Sequence, residues 1–136
     1  MGRKNKLVID TNLWISWLIG KKQTHLNRIL TDETIEIFSS IEQVNELFKV
    51  LERNKFTKYI SSEIADEFKL FFVEAVSIVT VKIKVHASRD PKDDFLLALV
   101  KTIRSDFLLT GDKDLLELKK FDAARIITLT EYLNLK

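Results

Sequence analysis

The chain has 136 residues, 46% of them hydrophobic, which is enough for one domain with a core of its own and excludes a disordered protein. It contains no cysteine, which excludes disulfides and thiolate metal sites and is typical of a reducing compartment. Its 22 basic and 20 acidic residues leave a net charge of +2, too small to indicate nucleic-acid binding by itself.

The first half of the chain alternates short apolar runs with stretches of helical spacing. The run 6–10 predicts a buried strand, and the apolar positions over 13–31 predict helical structure in two pieces that meet near Gly20. A second strand is predicted over 35–40. One of the two serines that end it is expected to cap a helix that continues to about residue 54.

The middle of the chain combines an amphipathic helix with an alternating segment. Ser61 or Ser62 is expected to open a helix that ends near Val76. The run 78–85 alternates apolar and polar residues, which predicts a half-exposed strand near a sheet edge.

The last third continues the same alternation. Its predicted elements are a helix that begins at Asp90–Pro91, a strand over 107–112, a short helix over 113–118, a strand over 124–129 and a terminal helix capped by Thr130. This order predicts an α/β fold with a mainly parallel sheet and helices on both faces, formed as a single domain over 1–136.

Two carboxylates directly follow predicted strands, Asp10 after "KLVI" and Asp112 after "FLLTG". The carboxyl ends of parallel strands meet at one edge of a sheet, so we expect these two acids to be neighbours. A further acidic group, Asp90, Asp93 and Asp94, lies at the start of a predicted helix that can point toward that edge. Each acid alone is also a common turn or cap residue, so the prediction depends on their combination.

Crowded carboxylates indicate a cation, because they raise one another's pKa values unless a positive charge lies between them. With no cysteine and only two histidines, the available ligands are oxygens, which favours Mg²⁺ or Mn²⁺. Such an ion can activate water for phosphodiester hydrolysis. The chain lacks a nucleotide-binding P-loop, a dinucleotide fingerprint and a G-x-S-x-G nucleophile elbow.

Basic residues recur in small groups, of which one comprises Arg53, Lys55 and Lys58. The simplest interpretation of such a group is a solvated face. No apolar run approaches the roughly 20 residues that a membrane helix needs, and the N-terminus lacks a signal-peptide pattern. We therefore expect a soluble protein of the cytoplasm that does not associate with membranes.

Three segments, "LVIDTNLWIS", "VNELFKVLERNKF" and "DPKDDFLLALV…SDFLLTGDKDLLEL", resemble the PIN-domain family in the expected order. They most resemble its prokaryotic members, the toxins of type II toxin–antitoxin pairs. The resemblance implies a three-layer α/β/α sandwich around a mainly parallel sheet and Mg²⁺- or Mn²⁺-dependent cleavage of RNA. It also implies an antitoxin partner and a homodimer.

Transferred position by position, the family's four catalytic acids would be Asp10, Glu46, Asp94 and Asp112. Asp10, Asp94 and Asp112 would hold the metal, and the supporting residues would be Asn12, Thr110, Asp114 and Asp93. Asp94 is chosen over its neighbour because it lies four residues before the small Ala98. Glu46 rests on the resemblance alone, since its helical angle away from the apolar stripe indicates a solvated side chain.

Two other functional classes stay open on the sequence. A phosphotransfer domain, receiver-like or haloacid-dehalogenase-like, also places an aspartate at the end of a parallel strand. The phosphatase pattern needs a second aspartate two residues on, where this chain has Asn12. A catalytically inactive RNA-binding module would keep the fold and lose the chemistry. Metal-dependent ribonuclease activity is the leading prediction.

Overall fold

The structure is a computed structural model that describes residues 3–20, 23–87 and 93–135. Its strands are β1 (Asn5–Ile9), β2 (Ile35–Ser40), β3 (Ser77–Val79), β4 (Phe107–Leu109), β5 (Lys120–Phe121) and β6 (Ala124–Ile127). Its helices are α1 (Thr11–Leu18), α2 (Gln23–Leu30), α3 (Ile41–Leu51), α4 (Asn54–Thr57), α5 (Ser62–Ala75), α6 (Asp94–Ile103), α7 (Lys113–Leu118) and α8 (Leu129–Asn134).

The strands form one sheet in the order β3-β2-β1-β4-β6-β5. Every neighbouring pair is parallel except β5 with β6, which confirms the predicted mainly parallel sheet. β1 lies centrally, and its last residue Ile9 is in register with Leu109 of β4. The carboxyl ends of β1 and β4 therefore lie side by side, as the two strand-end acids require.

Side chains of β1 alternate between two hydrophobic clusters, one on each face of the sheet. Leu7 and Ile9 belong to the larger cluster, which includes residues of α1, α2, α3, α5 and α8. Val8 belongs to the smaller cluster, which consists mainly of residues from α6, β4 and β6. All three side chains are fully buried, so the sheet is covered on both faces and the predicted α/β architecture is confirmed.

The predicted strand over 78–85 is wrong beyond Val79, where β3 ends at the edge of the sheet. Val81 and Val85 are half-buried against the smaller cluster, whereas Ile83 is exposed. The alternating pattern therefore reflects a segment that packs on the body of the protein without joining the sheet ladder. Amphipathic alternation reports which residues are buried and does not require a hydrogen-bonded partner strand.

Several predicted helix ends shift in the structure. Ser40 caps α3 and Ser61 caps α5, and each is one of the two serines predicted for that position. The predicted helix to about residue 54 ends earlier, at Leu51, and the separate turn α4 follows it. The terminal helix is capped by Thr128 in place of Thr130, because Thr128 and Glu131 form a capping box. The predicted helix start at Asp90–Pro91 lies outside the described residues.

Within the described ranges, no helix has the length and apolar character that crossing a bilayer requires.

Candidate active site

Asp10 lies where β1 ends and α1 begins, and it caps that helix. Its Oδ1 accepts a hydrogen bond from the backbone N–H of Asn12 (3.1 Å), and its Oδ2 accepts one from the hydroxyl of Thr110 (2.6 Å). Only 5% of the residue is exposed. The carboxylate is thus held in one orientation at the edge of the sheet by two donors, one of which belongs to a distant part of the chain.

Thr110 connects Asp10 to the second strand-end acid. The fully buried Thr110 hydroxyl donates to Asp10 and accepts a hydrogen bond from the backbone N–H of Asp112 (3.0 Å). Asp112 caps α7, and its Oδ1 alone accepts the cap hydrogen bonds from the N–H groups of Asp114 (2.8 Å) and Leu115 (3.2 Å). One hydroxyl therefore sets the relative position of the two strand ends that carry Asp10 and Asp112.

A cavity of about 410 Å³ opens above these strand ends. Four acidic residues line it, and they come from four different parts of the fold: Asp10 after β1, Glu46 on α3, Asp93 before α6 and Asp112 after β4. Asn12 also lines the cavity, whereas Asp114 does not. The acids predicted from separate sequence segments are brought together here, with one exchange at the start of α6.

Glu46 is half-buried and lines the cavity, whereas its helical angle alone predicted a solvated side chain. Val50, one turn further along α3, lines the same cavity and is buried. The flank of α3 beside its apolar stripe therefore faces a concave surface and not bulk water. Helical periodicity describes the direction of a side chain on its own helix, and it contains no information about which neighbouring element that flank meets.

The structure places the neighbouring acids Asp93 and Asp94 in different cavities. Asp93 occupies the cap position of α6, but its side chain makes no cap hydrogen bond; its Oδ2 is buried and the residue lines the acidic cavity. Asp94 lines a separate cavity of about 250 Å³, and its Oδ1 accepts a hydrogen bond from the N–H of Ala87 (3.2 Å). Ala98 lines this second cavity as well.

Asp94 lies on the helix face that its spacing to Ala98 predicts, but that face does not line the acidic cavity. Residues four apart share one face of a helix, so Asp94 does lie on the face of Ala98. That face borders the more apolar second cavity. The acid that enters the acidic cavity is the preceding residue, Asp93.

The site depends on one residue whose role sequence reasoning missed. Gln43 is fully buried on α3; its side-chain N–H donates to the carbonyl of Ile9 (2.7 Å), and its side-chain oxygen accepts from the hydroxyl of Ser39 (2.6 Å). These bonds hold α3, and with it Glu46, against the strand end that carries Asp10. The sequence signal was present but ambiguous, since a glutamine three residues after a capping serine is also a common capping-box residue.

The donor chemistry of the cavity fits a hard divalent cation, because its four acids provide only oxygen ligands. As the side chains lie, no three Asp, Glu or His residues of the described ranges are arranged around a common metal position. We therefore take as candidate ligands the four acidic residues that line this cavity.

Burial raises the pKa of Asp10 above its usual 3.8; the hydrogen bonds from Thr110 and Asn12 lower it, and the nearby Asp112 raises it. The folded chain thus binds the Asp10 proton up to a higher pH than the unfolded chain does. Without metal, the stability of the wild type relative to Asp10→Asn should fall as the pH rises from 3.8 to the raised pKa, and should then level off.

Urea denaturation of both proteins in chelator across this pH range measures the difference. The asparagine variant is the control, since it differs from the wild type only at Asp10 and retains every other carboxylate. A difference that is constant with pH would contradict the raised pKa.

Comparisons with known proteins agree with this geometry. A family model described as "PIN domain" matches residues 6–114, which include all four cavity acids. Among solved structures, the chain is similar to the Mycobacterium tuberculosis toxin VapC20, described as cleaving the sarcin–ricin loop, with 13% identity and a TM-score of 0.61. The match covers 88% of this chain and 98% of VapC20. No curated protein matches. With most of its length matched by the family model, the chain belongs to the PIN-domain family.

Proposed function

We propose that this chain is a metal-dependent endoribonuclease that hydrolyses RNA phosphodiesters as the toxin of a toxin–antitoxin pair. The observation that carries the proposal is the cavity with four carboxylates from four elements in a chain of the PIN-domain family. The similarity to VapC20, a toxin described as cleaving an RNA loop, supports the toxin role. The phosphotransfer alternative has less support, because the family model that matches the chain is that of the PIN domain.

In this proposal Asp10, Asp93 and Asp112 hold a Mg²⁺ or Mn²⁺ ion. Asp93 takes the place that the resemblance gave to Asp94 because it lines the acidic cavity. When bound, the ion supplies Lewis-acid chemistry, which makes water more acidic and offsets charge on the phosphate. Glu46, half-buried on the wall, accepts a hydrogen bond from the attacking water and orients it toward the phosphorus.

The supporting residues act on the acids. Thr110 and the N–H of Asn12 keep the Asp10 carboxylate oriented, and the N–H of Asp114 orients Asp112. Such preorganisation is effective because the oriented groups need not rearrange as charge develops in the reaction. The same proposal includes an antitoxin partner, a homodimer, a single domain over 1–136 and a cytoplasmic location.

Cleavage of a labelled RNA in Mg²⁺ or Mn²⁺, with and without chelator, tests the proposed activity. We expect cleavage that stops in chelator and returns when excess divalent ion is added. In parallel, saturating Mn²⁺ should stabilise the wild type by about 2.7 kcal/mol at a hundred times its Kd, measured by thermal unfolding. Asp112→Asn should lose most of this stabilisation.

Two outcomes would count against this proposal. Cleavage that persists in excess chelator would contradict metal-dependent hydrolysis. Phosphorylation of Asp10 by a small phosphodonor would favour the phosphotransfer alternative instead.

A further inference from the structure

The wall of the acidic cavity contains two cations that the proposed chemistry does not use. Arg53 and Lys55 line the same cavity as the four acids, and both are exposed, whereas Asp10 at the strand end is buried. They lie on the short segment where α3 ends and α4 begins. The cavity therefore changes from anionic at the edge of the sheet to cationic where its wall is exposed to solvent.

Neither cation is neutralised by a carboxylate of the described residues. Within residues 3–20, 23–87 and 93–135, neither Arg53 nor Lys55 forms an ion pair. Arg53 precedes α4 but its side chain does not cap it, and Lys55 places its Nζ 5.2 Å from the centre of the half-buried Phe56 ring. The ring contact orients Lys55 without neutralising it, so both charges are available to a ligand.

Charge balance explains why an RNA-cleaving cavity needs them. Counted at formal charge, the four acidic and two basic residues of the lining give it a net charge of −2. One divalent ion would bring the cavity to neutrality, yet the phosphates on either side of the scissile one would still have to approach the acids. Cations on the exposed wall attract those neighbouring phosphates and draw the RNA strand toward the ends of β1 and β4.

We propose, on the basis of the function proposed above, that Arg53 and Lys55 form a subsite for the RNA phosphates adjacent to the scissile phosphate. The guanidinium of Arg53 can donate two parallel hydrogen bonds to one phosphate, and Lys55 acts as a point charge held against Phe56. Their side chains are exposed, so their contribution is screened by salt and is modest for each residue.

Lys58 provides a matched control on the same turn. It belongs to the same basic group and is exposed, but it does not line the cavity. Arg53→Gln, Lys55→Gln and Lys58→Gln all remove one positive charge, so they change the net charge of the protein equally. A difference in RNA binding among the three variants therefore reflects the position of the lost charge and not the net charge of the protein.

The binding test uses a labelled single-stranded RNA and fluorescence anisotropy, with each variant placed in an Asp112→Asn background so that the RNA stays intact. Arg53→Gln and Lys55→Gln should each weaken binding about twofold to fivefold, and Lys58→Gln should stay within about 1.5-fold. For the double variant, the slope of log K against log salt should become shallower by about 1.4, since each phosphate contact on a single strand contributes about 0.7.

A kinetic test in the otherwise wild-type protein separates binding from chemistry. Arg53→Gln and Lys55→Gln should raise KM while kcat changes less than about twofold, because they act on phosphates that do not react. Thermal unfolding of each variant detects any general loss of structure.

The outcomes distinguish this subsite from the proposed function. In one outcome the wild type does not cleave RNA, but Arg53→Gln and Lys55→Gln weaken RNA binding and make the slope of log K against log salt shallower. The nuclease assignment then fails and the phosphate subsite stands. If the wild type cleaves RNA and both variants match Lys58→Gln in affinity, slope and KM, the subsite is overturned and the nuclease assignment stands. A wild type that does not bind RNA overturns the subsite as well.

Discussion

Asp10→Asn is expected to lower kcat/KM for RNA cleavage roughly 100- to 1000-fold while the protein stays folded. The amide keeps the size of the side chain and can still accept one of the two hydrogen bonds, from Asn12 or Thr110, that the carboxylate receives. It removes the negative charge that a divalent ion requires, so metal binding and cleavage should fail together. Single-turnover cleavage and Mn²⁺-dependent thermal unfolding measure the two effects on the same sample.

Asp66→Asn is the matched control for this experiment. It makes the same chemical change at an exposed position of α5, away from the cavity. Its kcat/KM should stay within about twofold of the wild type, as is usual for an exposed substitution outside a functional site. Full cleavage activity in Asp10→Asn would show that RNA cleavage does not require the Asp10 carboxylate.

The second large expected effect is a difference in kcat/KM between substitutions of the adjacent residues Asp93 and Asp94. Asp93→Asn should lower kcat/KM about 100-fold or more and abolish the stabilisation by Mn²⁺, because Asp93 is one of the four acidic residues that line the cavity and is proposed to hold the ion. Asp94→Asn should cost far less, within about fivefold, because its carboxylate accepts a hydrogen bond from Ala87 in the neighbouring cavity.

The two variants control each other, since they remove the same charge one residue apart. Cleavage rates and metal titration by thermal unfolding should rank Asp93→Asn far below Asp94→Asn. The reverse ranking would restore the assignment based on the spacing to Ala98 and would mean that this helix start rearranges when metal or RNA binds.

The general architecture could be predicted because its signals are local. The run "KLVI" before Asp10 and the run "FLL" before Thr110 are buried strands by composition, and parallel order follows from the helices between them. These local signals are enough to place Asp10 and Asp112 at one edge of the sheet. Their joint position follows from topology, because parallel strands that share a sheet end at the same edge.

The finer arrangement of the site could not be predicted because it depends on contacts between distant elements. Whether the flank of α3 meets water or the acidic cavity depends on Gln43, whose hydrogen bond reaches the Ile9 carbonyl on another element. Whether Asp93 or Asp94 enters the cavity depends on how α6 is rotated against the sheet. A periodic pattern fixes angles around one helix and contains no reference to the neighbouring element.

The β5–β6 hairpin was missed for a different reason. Lys119, which ends α7 just before β5, and Asp122, in the turn between β5 and β6, adopt positive φ angles of 60° and 52°. Such angles favour glycine or asparagine, which are the usual sequence signals of a tight hairpin. Here a lysine and an aspartate adopt them, so the turn has no glycine-based signature.

The central position of β1 has a consequence for biosynthesis. Ile9 pairs with Leu109, and Thr110 must reach Asp10 before that carboxylate is held in place. As the ribosome releases the chain from its N-terminal side, Asp10 emerges well before Asp93 and Thr110, which lie about 80 to 100 residues later. Pairing at such sequence separation also closes a long loop, which slows the step. A nascent chain would therefore carry Asp10 without the hydrogen bond from Thr110 until β4 has been made and has paired with β1.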